Sequence, residues 1–400
     1  MGLNETVSAE RVHIGFFGLR NAGKSSLVNA ITGQALSVVS DVKGTTTDPV
    51  KKAMELLPIG PVVIIDTPGL DDEGALGALR VQKAKQILSQ TDLAVLVVDA
   101  TVGCGEQERA LIELFSSRGV PYLTVYNKAD LLDERPPLGA NALYASAVTG
   151  EHIHTIKEKL GGLVQTAEKP KRLVADLIDA GDVVVLVTPI DEAAPKGRLI
   201  LPQQMAIRDI LDAHAVAVTA QDEQLAHTLA ALSQKPGLII TDSQAFGRVS
   251  RIAPTDIPLT SFSILMARYK GDLRALVRGA KALSALKDGD KVLISEGCTH
   301  HRQCNDIGTV KMPMWIEQFS GAKPQFCFTS GGEFPQDLSE YAVVVHCGGC
   351  MLNDREMQSR MQLAQQAGVP MVNYGIAIAQ MHGILKRSVE IFPDIAALLD

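Results

Sequence analysis

The run Gly18-Leu-Arg-Asn-Ala-Gly23-Lys24-Ser25 constrains this chain more than any other feature. It is a complete G-x-x-x-x-G-K-S loop, preceded by the strand-like Arg11–Phe17 and followed by Ser26-Leu-Val-Asn-Ala-Ile31, which continues as a helix. Strand, glycine loop and helix together build a phosphate cradle. Gly18 and Gly23 let backbone N–H groups wrap the phosphates, Lys24 reaches the β- and γ-phosphates, Ser25 ligates Mg, and the helix that begins at Ser26 adds its dipole. A chain with this loop is expected to contain an α/β nucleotide-binding domain.

Later loops narrow the nucleotide to guanine. Val62–Ile65 reads as a strand ending in Asp66-Thr67-Pro68-Gly69, where Asp66 acts on Mg through water and the Gly69 N–H senses the γ-phosphate. Tyr122–Tyr126 delivers Asn127-Lys128-Ala129-Asp130, whose last carboxylate can accept from both N1–H and the 2-amino group of guanine. Adenine offers neither donor, so a buried carboxylate would be left without partners. Tyr144-Ala145-Ser146-Ala147 supplies a backbone contact to the base, through Ser146 and Ala147.

With Gly44-Thr-Thr-Thr-Asp48, these loops resemble the small bacterial GTPases of the TrmE-Era group. The resemblance implies that Thr46 closes over the γ-phosphate and Mg, completing a catalytic set of Lys24, Thr46, Asp66 and Gly69. Asn21 resembles the asparagine that holds K⁺ beside the phosphates in potassium-activated relatives, where the ion offsets transition-state charge; a packing or turn role is its plainer reading. Leu70 follows Gly69 where a water-orienting glutamine could stand, so intrinsic hydrolysis is expected to be slow.

The rest of the chain carries a second kind of chemistry. Lys291–Ser295 and Val343–His346 read as buried parallel strands, and each stops at cysteine loops: Cys298-Thr-His300 after the first, Cys347-Gly-Gly-Cys350 after the second. In an open parallel sheet the carboxyl ends of the strands share one edge, so the two loops are expected to meet there. Three thiols and the imidazoles of His300 and His346 would then converge. From residues alone, an iron-sulfur cluster, zinc and a redox dithiol all remain open. With three thiolates, a 4Fe-4S cluster would leave one iron to His300, His346, a carboxylate such as Glu296 or Asp306, or an outside ligand.

Between these parts, Gln165–Arg172 is polar and broken by Pro170, marking a linker. Beyond it Gly181–Val187, Gln203–Asp212, Ala215–Val218, Glu223–Ser233 and Leu238–Ile240 alternate strand and helix, the pattern of a small parallel sheet. The strip Pro189–Leu201 is read as an exposed edge able to pair with a second copy, or as a turn within the domain. Leu273–Leu286, Asn353–Ala367 and Ile376–Leu385 read as helices and Gln325–Phe328 and Val369–Asn373 as strands, which together make a second doubly wound unit. The expected architecture is therefore α/β in three parts: a P-loop GTPase domain at 1–165, a small βαβ dimerisation domain at 172–258, and a doubly wound, cluster-binding domain at 259–400.

Charge and cysteine use fix the setting. Lys plus Arg total 38 against 45 Asp plus Glu, a net charge of -7, so nothing points to a nucleic acid or anionic membrane partner. Six cysteines in 400 residues with no secretory signal suggest a reducing compartment and a soluble, cytoplasmic chain.

The conjunction of a potassium-type GTPase domain with Cys298-x-His300 and His346-Cys347-x-x-Cys350 resembles the HydF family of FeFe-hydrogenase maturation GTPases, and Lys196–Pro202 is similar to a stretch of that family. The resemblance implies a 4Fe-4S cluster on Cys298, Cys347 and Cys350. It also implies a homodimer or larger assembly, two radical-SAM maturases as donors of a diiron precursor, and apo FeFe-hydrogenase as its acceptor. A ribosome- or RNA-associated GTPase with a structural metal site is the alternative, and a redox enzyme regulated by GTP a further one. The first would call for a basic module and the second for another redox centre; neither is evident in the sequence.

Overall fold

The computed structural model describes residues 8–34, 50–67, 84–167, 171–189, 199–297 and 306–399. The chain divides into two compact units, Met1–Lys169 and Pro170–Asp400.

The first unit is built on strands β1 (Val12–Phe17), β2 (Val50–Leu56), β3 (Gly60–Asp66), β4 (Leu93–Asp99), β5 (Tyr122–Asn127) and β6 (Ala142–Tyr144). They form one sheet in the order β2-β3-β1-β4-β5-β6, parallel throughout except for the antiparallel β2–β3 pair. Alternation along β4 explains why this strand is apolar at every position from Leu93 to Val98. Leu93, Val95 and Val97 enter a cluster with Leu27, Ile31, Ile156 and Leu160, while Ala94, Leu96 and Val98 enter another with Phe17 and Phe115. Both faces are covered, as parallel sheets require.

The second unit holds two four-stranded sheets, all parallel. Strands β7 (Val183–Val187), β8 (Val216–Ala220), β9 (Leu238–Thr241) and β10 (Leu259–Ser261) are ordered β10-β9-β7-β8. Strands β11 (Lys291–Glu296), β12 (Gln325–Ser330), β13 (Val343–His346) and β14 (Met371–Asn373) are ordered β12-β11-β13-β14. In each, the first and third strands are neighbours and the chain leaves them toward opposite edges, which defines a topological switch point. One apolar core runs from Leu173 to Phe392 through both sheets. The α/β reading and the parallel order of both later sections hold.

Two local details sharpen the reading. Residues 190–198 of the strip Pro189–Leu201 lie outside the described residues; Leu199 and Ile200 belong to no strand, and Leu201 opens the helix Leu201–Asp212, with Pro202 in its first turn and the Ile200 N–H bound to Gln203 Oε1. Among the described residues, the middle sheet's edges are β8 and β10. The helix expected over Leu273–Leu286 is α-helical only to Gly279 and tightens to a 3-10 turn over Ala280–Ala285. No helix among the described residues is long and apolar enough to cross a membrane.

Leu293 is fully buried on β11, between β12 and β13. Leu293→Ala should cost about 2–5 kcal/mol through lost transfer energy and the cavity left behind. The only tryptophan in the chain, Trp315, packs against this unit's core, so its fluorescence in a urea titration reads the loss directly. An unchanged midpoint would mean that β11 does not lie inside the core.

Candidate nucleotide site and candidate metal centre

The phosphate loop follows β1 and leads into the helix Lys24–Thr32. Asn21 and Gly23 adopt left-handed backbone, at φ 61° and 83°. Gly18 is required by close approach, because a Cβ there would lie 2.2 Å from the carbonyl oxygen of Val97. Lys24 is buried, and its Nζ donates to the carbonyls of Gly18 (3.0 Å) and Leu19 (2.7 Å), curling over the loop that it would share with phosphates. Ser25 donates from Oγ to Asp66 Oδ2 at 2.8 Å, which joins the two residues read as holding Mg. The other oxygen, Asp66 Oδ1, is buried without a hydrogen-bond partner. A buried lone carboxylate oxygen costs free energy unless something outside the chain satisfies it, and a Mg-bound water is the group that suits it. Ser26 stands in the first turn of the helix, part-buried.

On the base side, Asn127 is buried at the end of β5. Its Nδ2 donates to the Ala22 carbonyl at 3.0 Å, while its Oδ1 accepts from the Ala147 N–H at 3.1 Å, tying the phosphate loop to the Ser146–Ala147 turn. Ser146 is also buried, and its Oγ accepts from the Thr149 N–H. Lys128 has left-handed backbone at φ 65° and donates to Asp99 Oδ2 at 2.6 Å. Asp99 is a residue that the motif reading missed. Burial raises its carboxyl, but hydrogen bonds from Lys128 and Thr101 outweigh this and hold it below the ordinary range. Asp130 is exposed, open to a base edge. Thr46 and Gly69 lie outside the described residues.

The thiol loop sits at the second unit's C-terminal switch point. Strands β11 and β13 are paired with Ser295 opposite His346, and the Cys347 N–H continues the ladder to the Ser295 carbonyl at 2.9 Å. The chain leading to Cys298 and the loop holding Cys347 and Cys350 therefore leave adjacent strands in the same direction. Cys347 Sγ accepts from the Gly297 N–H at 3.0 Å and the Gly349 N–H at 3.4 Å. Backbone donors aimed at sulfur favour the thiolate, the form that binds metal. Gly349 takes the left-handed conformation, φ 64°, that folds the Cys-Gly-Gly-Cys turn back on itself. Cys350 is half-buried; burial pushes its thiol up, and the Lys270 ammonium pulls the other way. Cys298 and His300 lie outside the described residues, and among those described no three His, Cys, Asp or Glu side chains gather on a metal-sized point.

His346 is fully buried, and both ring nitrogens are engaged. Arg360 Nη1 lies 3.0 Å from Nε2 and, having no acceptor to offer, must donate to it. The ring is thereby fixed as the neutral tautomer that donates from Nδ1 to the Cys347 carbonyl at 2.8 Å. Burial, then the Arg360 charge, lowers the imidazole to about 3. Arg360 also binds Glu356 Oε1 at 2.7 Å and the Gly331 carbonyl, and its guanidinium lies 5.0 Å from the centre of the Phe334 ring. Close by, Glu296 ends β11 buried, with the Tyr374 hydroxyl 3.4 Å from its Oε1.

The fold and these loops define the class: a P-loop GTPase domain joined to a unit of two doubly wound parallel sheets. Family models agree and go further. One described as "50S ribosome-binding GTPase" matches residues 13–128, "Hydrogen maturase F dimerization domain" matches 173–271, and "Hydrogen maturase F tetramerization domain" matches 274–391. The chain belongs to the hydrogen maturase F family, and its two later sections are of the kinds that associate with further copies. Curated relatives match about a third of this chain. The GTPase Der of Kosmotoga olearia is 36% identical over 131 residues, 32% of this chain and 29% of that protein. The tRNA modification GTPase MnmE of Nitrosomonas europaea is 35% identical over 159 residues, 38% of this chain and 34% of that protein. The match thus spans about a third of each relative's length. Among solved structures, Aquifex aeolicus Era bound to GDP.AlF4- is similar at 18% identity over 60% of this chain and 98% of that one, with a TM-score of 0.35. The G domain of T. maritima FeoB is similar at 23% identity over 40% and 100%, with a TM-score of 0.29.

The buried Arg360–Glu356 pair is expected to be costly to break from one side only. Arg360→Met should destabilise the second unit by about 3–5 kcal/mol, leaving Glu356 buried and unpaired. Arg360→Met combined with Glu356→Leu should recover a large part of that loss in the Trp315 urea titration. If the single and double variants unfold at the same midpoint, the pair is not coupled as the geometry implies.

Proposed function

We propose that this chain is a GTP-hydrolysing scaffold that carries a 4Fe-4S cluster and delivers a diiron precursor to apo FeFe-hydrogenase. The observation that carries the reading is that β11, whose described chain ends at Gly297 just before Cys298, and β13, which leads into the Cys347–Cys350 loop, are parallel neighbours at a switch point, in a chain of the hydrogen maturase F family. The donor set suits such a cluster, since Cys347 Sγ already accepts two backbone N–H bonds and the turn to Cys350 is short and glycine-shaped.

Cys298, Cys347 and Cys350 would hold the cluster, with His300 the imidazole of the motif left for iron. His346, committed to Arg360 and to the Cys347 carbonyl, is read as orienting the loop rather than as the fourth ligand. Bound there, the cluster would supply one iron held by an exchangeable imidazole in place of a thiolate, a fitting anchor for a cargo that must later leave.

In the GTPase domain Lys24 and the loop N–H groups bind the phosphates, Ser25 and Asp66 serve Mg, Asn21 holds K⁺, and Asp130 reads guanine. Thr46 and Gly69 would close on the γ-phosphate. Switch closure can bias docking of the two radical-SAM maturases or the hydrogenase only if those partners distinguish the GTP and GDP forms. Association with copies of itself is supported by the two family domains.

Anaerobic reconstitution of the full chain with iron and sulfide, followed by reduction and EPR, tests the reading. The wild-type chain is expected to take up about four irons and show a cluster signal. Cys298→Ala, Cys347→Ala and Cys350→Ala should each lose the signal while keeping GTPase activity. A chain that takes up zinc and refuses iron, or variants that keep the signal, would overturn it.

A further inference from the structure

Lys270 is the last residue of the helix Phe262–Lys270 and is almost wholly buried, at 2% exposure. Lysine is rarely buried so deeply, because its ammonium must keep acceptors for its N–H bonds. Here the acceptors belong to the thiol loop. Lys270 Nζ donates to the carbonyls of Gly349 (3.3 Å), Cys350 (3.1 Å) and Leu352 (2.5 Å). An ammonium has three donors, so three carbonyls of one short loop can be matched by one side chain. These carbonyls converge on a single point, an arrangement that would be repulsive without a cation at its centre.

The origin of the side chain adds to this. Lys270 belongs to the section matched as the dimerization domain, whereas the loop belongs to the section matched as the tetramerization domain. The helix starts immediately after β10, with Ser261 Oγ capping the Ile264 N–H, so Lys270 is fixed to the middle sheet. The thiol loop is therefore held from outside its own section.

Building on the cluster reading above, we propose that Lys270 is the positioning residue of the thiol loop. Its ammonium shapes the Cys347–Cys350 turn before metal arrives and sets a fixed positive charge beneath it, which favours a negatively charged thiolate-bound cluster. Groups that orient metal ligands without touching the metal typically contribute ten- to a hundredfold in affinity, and charge near a cluster sets its potential. Motif searching cannot find Lys270, because its partners are backbone carbonyls.

The test compares the full-length chain with Lys270→Gln, which keeps two N–H donors but no charge, and Lys270→Arg, which keeps the charge. Each is reconstituted with iron and sulfide. Three quantities are read: the rate of iron loss to a chelator, the midpoint potential from a redox titration followed by EPR, and folding from Trp315 fluorescence in urea. Lys270→Gln should stay folded, release iron about tenfold faster or more, and show a lower midpoint potential, since removing a nearby positive charge disfavours the added electron. Lys270→Arg should restore the potential toward wild type. The inference is overturned if Lys270→Gln keeps iron and potential unchanged, or if iron is lost only together with the folded signal. A wild-type chain that takes up no iron would defeat the cluster reading itself, a different result from a loaded wild type with an indifferent variant.

Discussion

The pairing of β11 with β13 is the constraint on which the C-terminal chemistry depends. Parallel neighbours send their following loops out over the same edge, so the register of Ser295 with His346 decides where two stretches of sequence fifty residues apart are delivered. A slip of one residue would turn His346 from the buried face and carry the Cys347 ladder bond with it. The core beneath both sheets of the unit holds this register, and Cys347 Sγ then finds the Gly297 and Gly349 N–H groups waiting.

Two buried cations stabilise that edge from different directions. Arg360 enters from the helix Asp354–Gln366 and fixes His346 as a neutral donor to the loop. Lys270 enters from the middle section and gathers three loop carbonyls. Both charges are buried, so each depends on the acceptors gathered around it to be tolerated. The nucleotide site follows the same logic in a looser form, with Lys128 held by Asp99 and Ser25 by Asp66. In both units the reactive groups stand at strand ends, and less conspicuous polar partners set their direction.

Much of this was legible in the residues themselves. The phosphate loop, the Asn127–Asp130 loop and the strands that carry them have fixed spacing and β-branched runs, and these match the structure closely. The doubly wound order of both later sections was legible from strand and helix alternation, because parallel strands need crossovers. What was not legible were Lys270, Arg360 and Asp99, since composition places charged residues at the surface and their partners leave no spacing signature. Most of the strip Pro189–Leu201 lies outside the described residues, and its apolar end leads into a helix. Pro202 followed by Gln203 is the helix-start signal there. Thr46, Gly69, Cys298 and His300 rest on motif and resemblance.

On the proposed reading, sulfurs distant in sequence grip one iron site above the β11–β13 edge. Iron-edge anomalous diffraction from crystals of the anaerobically reconstituted chain tests this most directly. A single anomalous centre per chain is expected within bonding distance of the Cys298, Cys347 and Cys350 sulfurs. Anomalous density elsewhere, or Cys298 Sγ standing apart from the other two, would contradict it.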